Sequence, residues 1–342
     1  MRHLASVMRH LAMRKNDTSC SREHEGGSAS VKTHQKICAW LATLALAAGL
    51  GMASPPSTDD PPEWSTPVRP FRIVGNVYYV GTKGLSAYLI RSSEGAILLD
   101  GTTAENAPLI ERNIEAVGVP LHAVKRLISD HAHWDHVGGL AQIKQDTRAE
   151  FWASAGDTLA LEHGRVRGDT NYRPKPFAPI QVDRVVPDGE KLQLGDVTLT
   201  AHLTPGHTPG CTSWSTTVQD QGRPLDVLFL CSITVAGNIL VGNHAYPQIA
   251  SDYRTTFRKL ETMKPDIVLT SHPELAGVIE RGARREAGEA NAFIEPQALP
   301  SMVADFSQAF ETALAAARSD ETRCASSCQR RGSAATSRRR PL

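Results

Sequence analysis

Three imidazoles and one carboxylate fall within the six consecutive residues His131-Ala132-His133-Trp134-Asp135-His136. Neutral nitrogen donors with one anionic oxygen suit a borderline-soft divalent ion such as zinc. Neighbouring side chains on a short loop point in different directions, so the run cannot close around one ion, and two ions side by side are expected. A lone histidine in a soluble domain is usually a surface or satisfied core residue. Four metal-type residues in six, backed by Gly138-Gly139, argue against a merely solvated loop. Two more histidines have the setting of ligands. His207 sits in Thr204-Pro205-Gly206-His207-Thr208-Pro209-Gly210, where Pro and Gly hold the backbone in an unusual path. His272 follows an apolar run at 267–270 and precedes Pro273. Loops on rigid scaffolds are where binding residues concentrate. His122, His163, His202 and His244 stand alone and are left outside the site.

The elements that must carry these residues follow from periodicity. Short β-prone runs at 71–74, 77–80, 86–91 and 96–99 are separated by Gly-containing turns and read as consecutive antiparallel strands. Asp100-Gly101 ends the last, and residues 104–117 carry Leu109, Ile110, Ile114 and Val117 at helical spacing. Residues 125–128 form the strand whose exit is the His131–His136 run. Beyond it, 137–145 reads as a helix, 150–153 as a strand, and 154–163 as a helix with Ser154 as its cap. Residues 165–179 are charged and Pro-rich, a surface loop whose Tyr172 and Phe177 are candidates for a pocket wall. Strands of a second sheet are expected at 182–186, 190–194, 197–203, 212–217 and 226–230, then a helix at 252–263, a strand at 267–270 and helices at 277–287 and 300–316. Strands cluster in two halves, each followed by helices, which implies an α/β domain with two sheets face to face and helices outside.

At 342 residues, 41% apolar and 21% charged, the chain has the composition of an ordinary globular enzyme. Its net charge of +1 leaves no electrostatic footprint for nucleic acid. Lys32, His34 and Lys36 precede an apolar run at 37–50 that closes on Gly51-Met52-Ala53. This pattern predicts a leader over 1–53 whose signal peptide, 31–53, is cleaved near Ala53, and hence a periplasmic protein without a stable membrane anchor. A Pro-rich linker or arm follows at 54–70, the domain spans 71–318, and a basic tail at 319–342, lacking any apolar period, is expected to be disordered. Only two of the six cysteines, Cys211 and Cys231, belong to the domain. They can pair, stay as buried thiols or touch a metal, and small buried hydrophobes is the plainest reading.

The series His131-x-His133-x-Asp135-His136, His207 in a Pro-Gly-His turn, and His272 after a strand resembles the metallo-β-lactamase superfamily across residues 71–318. Residues 129–139, the segment Cys211-Thr212-Ser213-Trp214 after the turn, and Ser271-His272-Pro273 are similar to its subclass B3. Other members, such as glyoxalase II, lactonases and tRNA-processing nucleases, place a metal-bridging Asp at the end of the strand between His207 and His272. Here Leu230-Cys231-Ser232 stands there, and Asp226 opens that strand too early to bridge. The resemblance implies an αββα sandwich of two mixed sheets and two zinc ions per chain. One ion would be held by His131, His133 and His207, the other by Asp135, His136 and His272. It further implies that a hydroxide shared by the ions, oriented by Asp135, opens the β-lactam ring of penicillins, cephalosporins or carbapenems. Ser232 and Thr234 stand where the family's serines meet a bound water or the substrate carboxylate, and a monomer is expected. In one departure, residues 263–265 and 298–300 lack the cysteines that join these segments in many subclass B3 enzymes.

Two rival functions use the same residues differently. A lactonase or thioesterase would direct the same metals at another acyl group. A non-catalytic exported binding protein would keep the site as a vestige, which the presence of all six ligand positions argues against.

Overall fold

A computed structural model describes residues 60–336. The expected leader, residues 54–59 of the linker and residues 337–342 lie outside that range. The chain opens as an antiparallel meander, β1 (Phe71–Val74), β2 (Val77–Tyr79), β3 (Tyr88–Ser92) and β4 (Gly95–Leu99). It continues in parallel through β5 (Val124–Ile128), β6 (Glu150–Ser154) and β7 (Arg184–Val186), giving a seven-stranded sheet in chain order. The crossovers carry α1 (Ala107–Ala116), α2 (Trp134–Val137), α3 (Leu140–Thr147) and α4 (Ala155–His163). A five-stranded sheet follows, from β8 (Lys191–Leu194), β9 (Val197–Leu203), β10 (Thr212–Asp220), β11 (Arg223–Leu230) and β12 (Ile267–Thr270). It is antiparallel except for the β11–β12 pair, which is bridged by α5 (Ile249–Leu260). Last come α6 (Val278–Glu286) and α7 (Ala298–Thr336).

Why the sheets stack is legible strand by strand. In β4, Ile97 and Leu99 face the second sheet while Ala96 and Leu98 face α1 and α3. In β11, Val227 and Phe229 face the first sheet while Leu228 and Leu230 face α5 and α7. Strands buried on both faces read as continuous apolar runs, and covering both outer faces requires helices. Ile110 and Ile114 of α1 with Leu140 and Ile143 of α3 supply one cover. Tyr253 and Phe257 of α5, with Leu299, Val303, Phe306, Phe310 and Leu314 of α7, supply the other. The result is the expected αββα sandwich, and no helix among the described residues is long and apolar enough to cross a membrane.

Four local expectations are corrected. The strand expected in the second sheet at 182–186 is β7, which pairs in parallel with β6 of the first sheet. Hydropathy marks a strand but not its partner. The single helix expected at 137–145 is two, α2 and α3, broken at Gly138-Gly139. A Cβ on Gly138 would lie 2.4 Å from the Trp134 carbonyl and one on Gly139 2.4 Å from that of Gly101, so only glycine lets these segments touch. Ser154 occupies the N-cap of α4, but its hydroxyl donates to the Gly210 carbonyl at 2.6 Å rather than to its own helix. The tail expected to be disordered from 319 continues α7 to Thr336. Its Ala, Arg, Gln and Glu residues cost little in a helix, and extending a docked helix needs no new nucleus.

Glu111 on α1 faces Asp146 on α3, and burial together with that second carboxylate raises its pKa to about 7. A carboxyl raised in the folded state binds more protons there than in the unfolded chain, so stability falls as pH rises from about 4.5 to about 7. Because Glu111 is partly solvated, the cost above that window is at most about 1 kcal/mol. Glu111→Gln should therefore melt higher than the parent at pH 8 and equally at pH 4. Identical melting at pH 8 would show the pair to be fully screened.

Candidate metal centre

The parallel strands β4, β5 and β6 end at the same edge of their sheet, so the loops leaving them converge. From β5 comes Ser129-Asp130-His131-Ala132-His133, running into the single turn of α2 that carries Asp135 and His136. The link between β9 and β10 brings His207, and the exit of β12 brings His272. All six candidate ligands meet in two abutting groups, His131 with His133 and His207, and Asp135 with His136 and His272. Within each group the donor atoms lie within 4.8 Å of one another. The first three rings stand almost equidistant, with centroids 4.6–4.7 Å apart. His131 and His136, one from each group, approach to 4.2 Å.

Hydrogen bonds decide which atom each ring offers. His131 Nδ1 donates to Asp130 Oδ1 at 2.7 Å and His207 Nδ1 to the Thr234 carbonyl at 2.8 Å, so both present Nε2 inward. Tyr253 Oη donates to the same Thr234 carbonyl at 2.7 Å, fixing it from the α5 side. Asp135 Oδ2 lies 3.3 Å from His136 Nε2 and 3.5 Å from His272 Nε2. The Nε2 atoms of His131, His133 and His136, and Asp135 Oδ1, are buried without a hydrogen-bond partner. Orphaned donors and acceptors at this density are costly unless something binds them, and nitrogen plus carboxylate oxygen is the donor set of a divalent metal. The residues fit metal ions.

Electrostatics prepares the same atoms. Burial, with the His131 and His207 rings close by, holds His133 well below the usual imidazole range, and burial with the His131 ring beside it lowers His207 to about 3. Both are neutral at neutral pH, so they bind a cation without first losing a proton. Burial works against the ionised form of Asp135, yet His136 and His272 hold its carboxyl well below the usual range. Burial would likewise lower His136, but Asp135 and Asp130 raise it.

Several residues at the site were not singled out in the sequence. Asp130 stands next to the first ligand, a signal that was available. Asp100 was marked only as the end of β4. Its Oδ1 accepts the Asp130 N–H at 3.0 Å and its Oδ2 lies 3.7 Å from His136 Nδ1, so it supports both groups from behind. Burial and the Asp130 charge raise its pKa. Asp100 and Thr102 both adopt positive φ, 63° and 56°, unusual for residues with a Cβ. That path lets Gly101 N reach the His136 carbonyl at 2.8 Å. The arm before β1 contributes Trp64, which packs on His272 at 5.7 Å and on Trp134 at 6.4 Å between centroids. Tyr172 stands 6.1 Å from Trp134, and burial with the Asp135 charge raises its pKa to about 12. Tyr172 thus belongs to the wall of the site. Phe177 does not, being buried under the helices outside the first sheet. Ser232 Oγ and Thr234 Oγ1 hydrogen-bond each other at 3.0 Å at the exit of β11.

The simplest reading of Cys211 and Cys231, as separate buried thiols, is overturned, because they form a disulfide. Pairing of Trp214 with Phe229 across β10 and β11 brings the two Cα atoms to 6.0 Å. The bond leaves no thiol to compete for a metal. Cys211→Ser with Cys231→Ser, or reduction, is expected to cost about 3 kcal/mol by releasing the 20-residue loop in the unfolded chain. A urea midpoint unchanged by reductant would show that the bond contributes nothing.

Residues 80–272 match the profile described as the Metallo-beta-lactamase superfamily. The chain is similar to BJP-1, a subclass B3 metallo-β-lactamase of Bradyrhizobium japonicum, at 42% identity and TM-score 0.73, covering 76% of this chain and 98% of that one. It is also similar to an uncharacterised protein of Aquifex aeolicus, 27% identical over 35% of this chain, and spans about half, 53%, of that relative's length. The chain is also similar to the hydroxyacylglutathione hydrolase GloC of Haemophilus influenzae, at 30% identity over 51% of this chain and 77% of that protein.

Proposed function

The chain belongs to the metallo-β-lactamase superfamily, and on that premise we propose that this metal-binding hydrolase uses two zinc ions to open the β-lactam ring of penicillins, cephalosporins and carbapenems. The observation that carries the reading is the exit of β11. It ends on Leu230-Cys231-Ser232, so this strand exit supplies no carboxylate, and both cysteines are tied into a disulfide. Similarity to a subclass B3 enzyme over nearly that enzyme's whole length supports it.

When bound, zinc supplies Lewis-acid polarisation and lowers the pKa of water toward about 7. The protein supplies the rest. His131, His133 and His207 would hold one ion through neutral donors, preserving its full charge where a carbonyl must be polarised. Asp135, His136 and His272 would hold the other, where the Asp135 charge makes the environment less cationic and suited to the departing nitrogen. Asp135 Oδ1, buried and without a partner, can accept a hydrogen bond from the attacking water and orient it. Ser232 and Thr234 place two hydroxyls for the substrate carboxylate, while Trp64, Trp134 and Tyr172 limit access of bulk water from one side. Every one of these residues comes from a single chain, so a monomer suffices. Export with cleavage near Ala53 belongs to the same proposal and rests on the apolar run 37–50. N-terminal sequencing of the mature protein tests it.

A second reading, hydrolysis of a lactone or thioester, is favoured by the similarity to the hydroxyacylglutathione hydrolase. Steady-state rates on a penicillin, a cephalosporin, a carbapenem, a lactone and a thioester separate the two. The proposal expects the highest kcat/KM on the β-lactams, and negligible turnover of all three would overturn it in favour of the second reading.

A further inference from the structure

Asp157, the third residue of α4, lies in neither donor group, yet it is 2% exposed and every acceptor direction it uses points at a ligand-bearing segment. Its Oδ2 accepts the Ala132 N–H at 2.9 Å and the Thr208 hydroxyl at 2.8 Å, and its Oδ1 accepts the Gly210 N–H at 2.9 Å. Ala132 is the residue between His131 and His133, while Thr208 follows His207. One carboxylate therefore clamps the loop leaving β5 in the first sheet to the turn between β9 and β10 in the second.

No water layer separates these segments. A Cβ on Gly156 would lie 2.3 Å from the Pro209 carbonyl, and one on Gly210 would lie 2.3 Å from Asp157 N. Other links join the two sheets nearby, Thr212 N to the Asp130 carbonyl at 2.8 Å, Trp214 Nε1 to the Ser129 carbonyl at 3.2 Å and Ser154 Oγ to the Gly210 carbonyl at 2.6 Å. None of these links touches Ala132 or Thr208, the residues adjoining His133 and His207 that Asp157 holds. Asp157 forms no hydrogen bond or ion pair with Asp135, His136 or His272.

We infer that Asp157 is the positioning residue of the three-imidazole site, setting the spacing between the His131–His133 loop and the His207 turn so that the site is formed before a cation arrives. This rests on the donor groups holding cations and not on which acyl bond is cleaved.

Asp157→Asn preserves size but must turn its N–H₂ toward either the Ala132 N–H or the Gly210 N–H, setting donor against donor on one side of the clamp. Lost support behind metal ligands typically weakens affinity about 10- to 100-fold. The test is competition for zinc against a chromophoric chelator with the metal-stripped full chain, in two backgrounds. With His272→Ala, which disables the second group, Asp157→Asn should weaken zinc binding about 10- to 100-fold. With His207→Ala, which disables the first, the same change should shift affinity less than about threefold. Thr208→Val, which removes one of the three hydrogen bonds and keeps the carboxylate, should give a smaller loss in the first background only. Melting of the stripped proteins is read alongside. Equal weakening in both backgrounds, or a lower melting temperature with unchanged zinc affinity in the His272→Ala background, would overturn the inference and leave Asp157 as a support of the fold alone.

Discussion

Asp135→Asn is expected to lower kcat/KM on the preferred acyl substrate by about 10²- to 10⁴-fold, the range in which a positioned proton acceptor contributes, while the protein stays folded. Asp135 is the sole anion among the six candidate ligands, 5% exposed, with Oδ2 turned toward His136 and His272 and Oδ1 unpaired. Asparagine preserves volume and one oxygen but removes the charge that offsets the second cation, and it places a donor where an acceptor is needed. Two effects should separate. At limiting zinc the variant should hold less metal in the second group, and at saturating zinc the rate should stay low because the water is no longer oriented. Activity within tenfold of the parent at saturating zinc would remove Asp135 from the chemistry.

Stripping the protein with a chelator is expected to abolish hydrolysis and lower the melting temperature by roughly 10 °C, with both restored by added zinc. A ligand at about 1,000 times its dissociation constant stabilises the folded state by about 4 kcal/mol, and a domain of this size shifts by about 2–4 °C per kcal/mol. Removal also exposes the cost of the cluster itself. Five histidine rings and a carboxylate remain packed together, with several buried nitrogens and one oxygen unpartnered. Calorimetry with and without chelator reads the shift. Turnover that survives complete zinc removal would sink a metal-dependent reading altogether.

All six candidate ligands were legible in the sequence because the chemistry is local. Four crowd one loop, and the other two sit at strand exits marked by Pro and Gly. Their supports were not legible. Asp100 serves Asp130 across 30 positions and Asp157 serves Ala132 across 25 and Gly210 across 53. Nothing in hydropathy or spacing links such pairs until parallel strands end at a common edge. Tyr172 and Phe177 make the same point from one loop, since aromatic character marked both and only packing separated a wall residue from a core residue. The β7 and α7 corrections have related causes. A short apolar run carries no information about its neighbour strand, and a helix anchored by Leu299 to Leu314 can extend past its own amphipathic stretch.

By itself the sequence determined the donor set, the likeness to subclass B3 and the layered fold, because ligand type, turn chemistry and two-sided burial are written into residue identity and period. Only the tertiary structure brought the two donor groups against each other in space and decided that Cys211 pairs with Cys231. It alone placed Asp157 across the two sheets and brought Trp64 over His272. Those facts are distances between segments far apart in the chain, set by strand register and loop convergence, which no local pattern encodes.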